Sequence, residues 1–161
     1  MRESGILMHI TSLPGPYGVG TMGRTAYSFI DFLEKSGQRY WQVLPLTPTG
    51  YGDSPYQSCS AFAGNPYLID LDFLVEDGLL QPEEIAACAW GDDPEKVDFG
   101  LLYENRLGLL RKAYGRFRED GAFSEFCFQN EGWLPEFAHY MALKDRFGGK
   151  PWYEWPDGIK H

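Results

Sequence analysis

The residues best suited to bind a ligand lie in one loop, residues 47–66, which is rich in glycine, serine, proline and tyrosine. Tyr51 and Tyr56 stand near glycines, which allow unusual backbone angles and close approach of a ligand. Hydrogen-bond donors and acceptors beside the rings come from Asp53, Ser54 and Gln57. Since a pyranose packs its C–H face on an aromatic ring, this combination predicts a sugar-binding loop. On composition alone, a stiff loop that packs on itself with its rings as plugs stays an alternative.

Two other motifs could carry chemistry, but each departs from its pattern. Residues 18–23 (GVGTMG) match the dinucleotide pattern G-x-G-x-x-G, yet residues 14–17 (PGPY) separate them from the preceding strand. The Gly-Asp-Ser at residues 52–54 is similar to the nucleophile block of one class of serine esterases. That class pairs its base as Asp-x-x-His, whereas Asp157 and His161 are separated by one residue more. We therefore expect neither a nucleotide site nor a catalytic triad.

The elements that must hold the loop predict the opening of an α/β fold. Residues 5–10 (GILMHI) predict a buried strand that ends near His9, residues 25–36 a helix, and residues 39–46 a second strand. A strand, a helix and a strand with short links form a βαβ unit with a parallel, right-handed crossover. Parallel sheets are normally covered on both faces, so two strands predict only the start of a larger sheet. His9 is interpreted as a neutral core histidine that is hydrogen-bonded to backbone.

Helices predominate after the loop. Residues 65–71 (NPYLIDL) alternate as a strand would, and later segments have helical spacing. These helical segments are residues 76–89, 103–117 and 123–147, the last interrupted near Gly132 and Pro135 and closed by Gly148 and Gly149.

Bulk composition excludes several classes of function. The formal charge of −9, from 14 basic and 23 acidic residues, disfavours nucleic acid and anionic membranes as partners. The three cysteines, Cys59, Cys88 and Cys127, are scattered, which argues against a disulfide framework and a zinc site. No apolar run approaches the roughly 20 residues of a membrane span, and no secretion signal is visible. We expect a cytoplasmic protein.

Three ordered stretches carry a resemblance to a known family. Residues 9–20 (HITSLPGPYGVG), residues 40–46 (YWQVLPL) and the loop from residue 50 to residue 66 resemble the opening of the 4-α-glucanotransferases. The likeness continues through residues 65–71, 98–100 and 147–152 and covers essentially the whole chain. Small departures are Ile10, where the family usually has proline, and Cys59, where an aromatic residue is common. Neither departure disturbs the polar and aromatic residues of the loop.

The resemblance implies a fold and a reaction. The fold is α/β, the N-terminal portion of a (β/α)8 TIM barrel with an inserted helical subdomain, the barrel being incomplete in this chain. Residues 1–75 would form the first βαβ part with the loop, and residues 76–161 the mostly helical insertion that returns towards the barrel. The reaction is transfer of α-1,4-glucan segments to acceptor sugars by a retaining double displacement, without a cofactor or metal.

In a retaining mechanism one carboxylate attacks the anomeric carbon and a second carboxyl group acts as acid and then as base. The family takes these groups from later barrel strands, so no residue of this chain is expected to be catalytic. The chain alone is therefore expected to be inactive. A non-catalytic α-glucan-binding module is the alternative.

The resemblance also assigns substrate-binding residues. Ser54 and Tyr56 would line the sugar-binding cleft, with Tyr56 as the stacking platform, while Tyr51 and Tyr103 resemble aromatic residues of a second, surface glucan site. The loop neighbours Asp53 and Gln57 complete the set. The expected partners are maltodextrins and other α-1,4-glucans, with glucose or maltose as acceptor. Self-association of the isolated chain is also expected, because its two strands need neighbours.

Overall fold

The computed structural model describes residues 2–50, 52–93 and 95–160 and contains the predicted βαβ unit. Strands β1 (Gly5–Leu7) and β2 (Tyr40–Gln42) pair in parallel, with Ile6 opposite Trp41. Helix α1 (Arg24–Lys35) connects them. Gly37 follows the helix with a φ of 70°, the left-handed conformation that ends many helices. The predicted helix, its glycine stop and the parallel pairing are confirmed.

Both strands are shorter than the sequence predicted, and β1 is more exposed. β1 ends at Leu7, and the chain then forms a 3-10 helix over Ile10–Ser12. All three residues of β1 are exposed, Leu7 by 62%. The prediction of a buried strand is wrong, because within the described residues each strand has only the other as its neighbour.

Residues 65–71 do not form the predicted strand. They form a 3-10 helix over Pro66–Leu68, and helix α2 (Leu71–Glu76) begins directly after it. The side chain of Asn65 accepts a hydrogen bond from Tyr67 N at 2.9 Å, and that of Asp70 accepts one from Asp72 N at 2.9 Å. Two side-chain caps and a proline in the first turn thus outweigh the alternating pattern, since caps stabilise helix starts directly.

The helices that follow differ in their bounds from those predicted. α2 ends before Gly78, which has a φ of 71°, and helix α3 (Pro82–Ala86) is separate, so the single helix predicted over residues 76–89 is wrong. Helix α4 (Phe99–Arg116) begins earlier than predicted because the carboxylate of Asp98 accepts a hydrogen bond from Leu101 N at 3.0 Å.

α4 packs its buried stripe on the preceding helices. Leu109 and Ala113 lie in one apolar cluster with Leu71, Leu80 and Ile85. An ion pair at the edge joins α3 to α4, with Glu84 accepting from Arg116 at 2.6 and 2.9 Å. These hydrogen bonds, with one from the Gln81 backbone, lower the pKa of Glu84 to about 2.

The chain divides into two compact units, the first ending at Phe117 and the second beginning at Arg118. The second contains helices α5 (Gly121–Gln129), α6 (Leu134–Arg146) and α7 (Asp157–Lys160), with a 3-10 helix over Trp152–Glu154. The predicted interruption between α5 and α6 is confirmed. Trp155 is buried between the rings of Tyr140 and Phe147, with centroids 5.6 and 5.5 Å away. Among the described residues, no helix has the length and apolar character to cross a membrane.

The glycine motif of residues 18–23 is a packing motif. A Cβ atom at Gly20 would overlap the backbone of Ile10, and one at Gly23 would overlap the carboxylate of Asp70. That carboxylate accepts a hydrogen bond from the hydroxyl of Thr21 and also caps α2. The glycines therefore let three segments of the chain approach one another, which accounts for the motif without a nucleotide.

We predict that Gly23→Ala destabilises the full-length protein by about 1–3 kcal/mol, because the Asp70 carboxylate would have to leave its place. Gly108→Ala, within α4 and with open space around it, is the matched control. It should stabilise by about 0.5–1 kcal/mol through helix propensity. Thermal unfolding of both variants measures the difference, and equal melting temperatures for Gly23→Ala and wild type would contradict the account.

Candidate functional site

The predicted sugar-binding loop is closed at its base and shaped by turns. Asn65 N donates a hydrogen bond to Leu46 O at 2.8 Å, which brings the two ends of the loop together. At the tip, two turns are closed by bonds from Asp53 N to Gly50 O and from Gln57 N to Ser54 O, each 3.1 Å long. Asp53 has a φ of 56°, the left-handed region that non-glycine residues seldom occupy. Tyr51 lies outside the described residues.

Serine side chains hold the second half of the loop. The hydroxyl of Ser58 donates to Ser60 O at 2.8 Å, and the hydroxyl of Ser60 accepts from Phe62 N and Ala63 N at 3.1 and 3.0 Å. Such side-chain bonds to nearby backbone groups replace the ladder of regular secondary structure. The loop therefore has a defined shape although its described residues before Pro66 form no helix or strand.

A groove of about 520 Å³ runs beside this loop, within the usual size range of small-molecule sites. Its lining combines Tyr56 with small and polar residues, namely Pro45, Thr47, Pro55, Ser58, Cys59, Ser60 and Ala61. Tyr56 is 73% exposed, so its ring is available to a ligand and does not plug the loop. For Tyr56 the alternative of a self-packed plug is therefore not supported.

The other predicted binding residues of the loop that the structure describes lie outside the groove lining. Ser54 is half-buried, and its hydroxyl lies 3.4 Å from Tyr56 N, where it accepts a hydrogen bond. Gln57 is exposed. Neither side chain is part of the groove lining. Ser54 therefore contributes to the backbone conformation that presents Tyr56.

Besides burial, Asp53 and Tyr103 both raise the pKa of a third side chain, Tyr67. Tyr67 is buried at the end of the loop, and burial raises its pKa, with further upward contributions from Asp53 and Tyr103. Burial also raises the pKa of Asp53. Tyr103 projects from α4 and is 67% exposed. An exposed tyrosine of α4 and an acidic loop residue thus both affect the ionisation of one buried phenol.

A second cavity, of about 230 Å³, lies among Tyr17, Trp90 and the side chains of α2 and α3. Its polar groups are already paired: Tyr17 Oη donates to Asp72 at 2.6 Å, and Trp90 Nε1 donates to Ile85 O at 3.3 Å. The bond to Asp72 raises the pKa of Tyr17 to about 12. This cavity offers a sugar few open hydrogen-bonding groups, which favours the groove at the loop.

Sequence reasoning missed Tyr67 and Arg106. Arg106 is fully buried and lies in the apolar stripe of α4 between Leu102 and Leu109. A charged residue at an interior position of a helical apolar stripe is the signal that could have identified it, since arginine is seldom fully buried. Burial lowers the pKa of His9, which favours its neutral form. Its Nδ1 has no hydrogen-bond partner among the described residues, so the expected bond to backbone is not seen at that atom.

Comparisons with known proteins show the family to which the chain belongs. The family model described as 4-alpha-glucanotransferase, glycoside hydrolase family 77, matches residues 8–161. The chain belongs to this family. It is 54% identical over 159 residues to the 4-alpha-glucanotransferase of Streptococcus pneumoniae, covering 97% of this chain and 32% of that protein. It is 52% identical over 161 residues to the Thermus thermophilus enzyme, covering 96% and 31%.

A solved structure extends the likeness of this family member to three dimensions. The amylomaltase from Streptococcus agalactiae, solved in complex with acarbose, superposes with a TM-score of 0.90 at 48% identity. The match covers 98% of this chain and 32% of that chain. The chain therefore spans about a third of the length of the 4-alpha-glucanotransferases that it matches, and it has the fold of the corresponding part of an amylomaltase.

Proposed function

We propose that the full-length protein is a 4-α-glucanotransferase that moves segments of α-1,4-glucans to acceptor sugars by a retaining double displacement. The observation that carries the proposal is the loop of this family member, which presents an exposed Tyr56 ring over a groove of about 520 Å³. The ligand of the similar S. agalactiae amylomaltase, acarbose, supports a glucan-like occupant for this groove. We further propose maltodextrins as donors and glucose or maltose as acceptors, in the cytoplasm and without a cofactor.

Each predicted binding residue has a proposed role that depends on its position in the loop or on α4. Tyr56 would stack on a sugar in the groove, and Ser54 would hold the backbone that presents it. Tyr51 and Tyr103 would contact a more distant part of a long glucan. Asp53 and Gln57 would supply polar contacts at the tip of the loop. The attacking carboxylate and the acid–base carboxyl group would come from elsewhere in the full-length protein.

The architecture proposed for the full-length protein is a (β/α)8 barrel. β1, α1 and β2 supply its first βαβ unit, which supports the assignment. Residues 1–75 would belong to the barrel and residues 76–161 to an inserted helical subdomain. Helices of this second range up to Phe117 share a compact unit with the βαβ part, so the insertion would begin in close contact with the barrel.

Disproportionation of maltotriose by the full-length protein tests the function. A transferase produces glucose together with maltopentaose and longer chains, because each donor fragment is passed to another sugar. A hydrolase would release glucose and maltose without longer products. A protein that binds maltodextrin in calorimetry and yields no new oligosaccharide would instead be the rival α-glucan-binding module.

We predict that residues 1–161 expressed alone associate with themselves. The two-stranded sheet leaves both outer edges unpaired among the described residues, and Leu7 and Tyr40 are 62% and 60% exposed. Unpaired strand edges recruit other chains, and charge repulsion from the net −9 is screened over roughly 10 Å at 0.1 M salt. Analytical ultracentrifugation should show oligomers, and a monodisperse monomer with a cooperative melt and little hydrophobic-dye binding would contradict the prediction.

A further inference from the structure

Arg106 is a charged residue in a position where an apolar one would be expected. It is 0% exposed and lies between Leu102 and Leu109 on the buried face of α4. Burial lowers its pKa to about 10, so the guanidinium remains protonated at neutral pH. Removing a charge from water costs several kcal/mol unless partners compensate. Because burying the charge is costly, we expect Arg106 to have a role that an apolar side chain such as leucine or methionine could not fill.

Arg106 interacts with two residues that follow the loop at residues 47–66, namely Ile69 and Asp70. Its Nη2 donates a hydrogen bond to Ile69 O, three residues beyond the loop. The negative charge of Asp70 favours its protonated form. Among the described residues, its Nε and Nη1 atoms have no hydrogen-bond partner. The guanidinium is thus held by one carbonyl oxygen, that of Ile69, and by the negative charge of Asp70.

The segment that Arg106 contacts, residues 68–70, is also hydrogen-bonded to Thr21 and Met22. Asp70 accepts a hydrogen bond from Thr21 and caps α2, and Leu68 O accepts one from Met22 N at 2.9 Å. The chain leaving the loop therefore has a fixed attachment to the segment before α1. Arg106 supplies the corresponding attachment to α4.

α4 also carries Tyr103, which lies one helical turn before Arg106 and on the adjacent face. Tyr103 is exposed, and α4 packs against the 3-10 helix over Pro66–Leu68, which begins at the end of the loop. The hydrogen bond from Arg106 to Ile69 O thus joins the helix that carries Tyr103 to the segment that follows the loop.

We propose that Arg106 is a positioning residue that fixes the Tyr103 ring relative to the loop and so determines how well a long glucan is held beyond the Tyr56 groove. The proposal rests on the transferase function proposed above. Arg106 touches no substrate itself. Its effect therefore falls on glucans long enough to reach both tyrosines, and much less on maltotriose.

The test uses the full-length protein with maltotriose and amylose as substrates. In Arg106→Met, the ratio of KM for amylose to KM for maltotriose should rise roughly fivefold or more, as expected when uniform binding is lost. Arg106→Lys keeps a charge and a donor and should recover part of this change. Gly108→Ala on the same helix, with open space around it, should leave the ratio at the wild-type value.

A double-mutant cycle separates positioning from general stability. In a Tyr103→Ala background, replacing Arg106 should cause little further change in the ratio, because the ring through which it acts is already absent. If Arg106→Met does not accumulate as folded protein, Arg106→Lys is used in the same cycle. A lowered melting temperature with an unchanged ratio, or additive effects in the cycle, would overturn the inference. A wild-type protein that does not disproportionate maltotriose would overturn the proposed function instead.

Discussion

Residues 1–161 expressed alone should release no glucose from maltotriose and form no longer oligosaccharides. A retaining glycosyl transfer needs two carboxyl groups about 5–5.5 Å apart, one to attack the anomeric carbon and one to move the proton. The loop at residues 47–66 contains a single acidic residue, Asp53, and burial raises the pKa of that group. The family resemblance assigns both catalytic carboxyl groups to later barrel strands.

The control is the full-length protein at the same molar concentration, which should disproportionate maltotriose under identical conditions. Thin-layer or anion-exchange chromatography resolves glucose from the longer products. Turnover by residues 1–161 well above a protein-free blank would show that this segment contains a complete catalytic site and would refute the assignment.

Replacing Tyr56 by alanine in the full-length protein should lower kcat/KM for maltodextrin transfer roughly 5- to 150-fold. We base this on about 1–3 kcal/mol for the loss of one stacking ring, a range taken by analogy from bases on aromatic side chains. The ring is 73% exposed, so its removal creates no core cavity, and the melting temperature should stay close to that of wild type.

Three further variants show whether the effect belongs to the ring in the groove. Tyr56→Phe keeps the stacking face and should retain most of the activity. Tyr51→Ala and Tyr103→Ala, in the proposed remote site, should cost less than Tyr56→Ala on maltotriose. Kinetics of Tyr56→Ala close to wild type, with the protein folded, would reject Tyr56 as the stacking platform.

Features that depend on near neighbours in the sequence could be predicted. The α1 helix and its stop at Gly37 follow from apolar spacing and a residue that tolerates positive φ, both within one stretch of chain. The loop with Tyr56 could be recognised because its composition suits neither helix nor strand. Local errors arose where capping competed with periodicity, as at residues 65–71, where Asn65 and Asp70 start helical turns.

The sequence by itself determined the family, the βαβ opening and the loop that carries the candidate site. Only the tertiary structure decided which loop residues line the groove, that Gly23 makes room for the Asp70 carboxylate, and that Arg106 reaches Ile69 O. The physical reason is the range of the interactions. Helix stops and loops depend on residues a few positions apart, whereas the contact between Arg106 and Ile69 spans 37 positions and arises only after α4 has packed against the end of the loop.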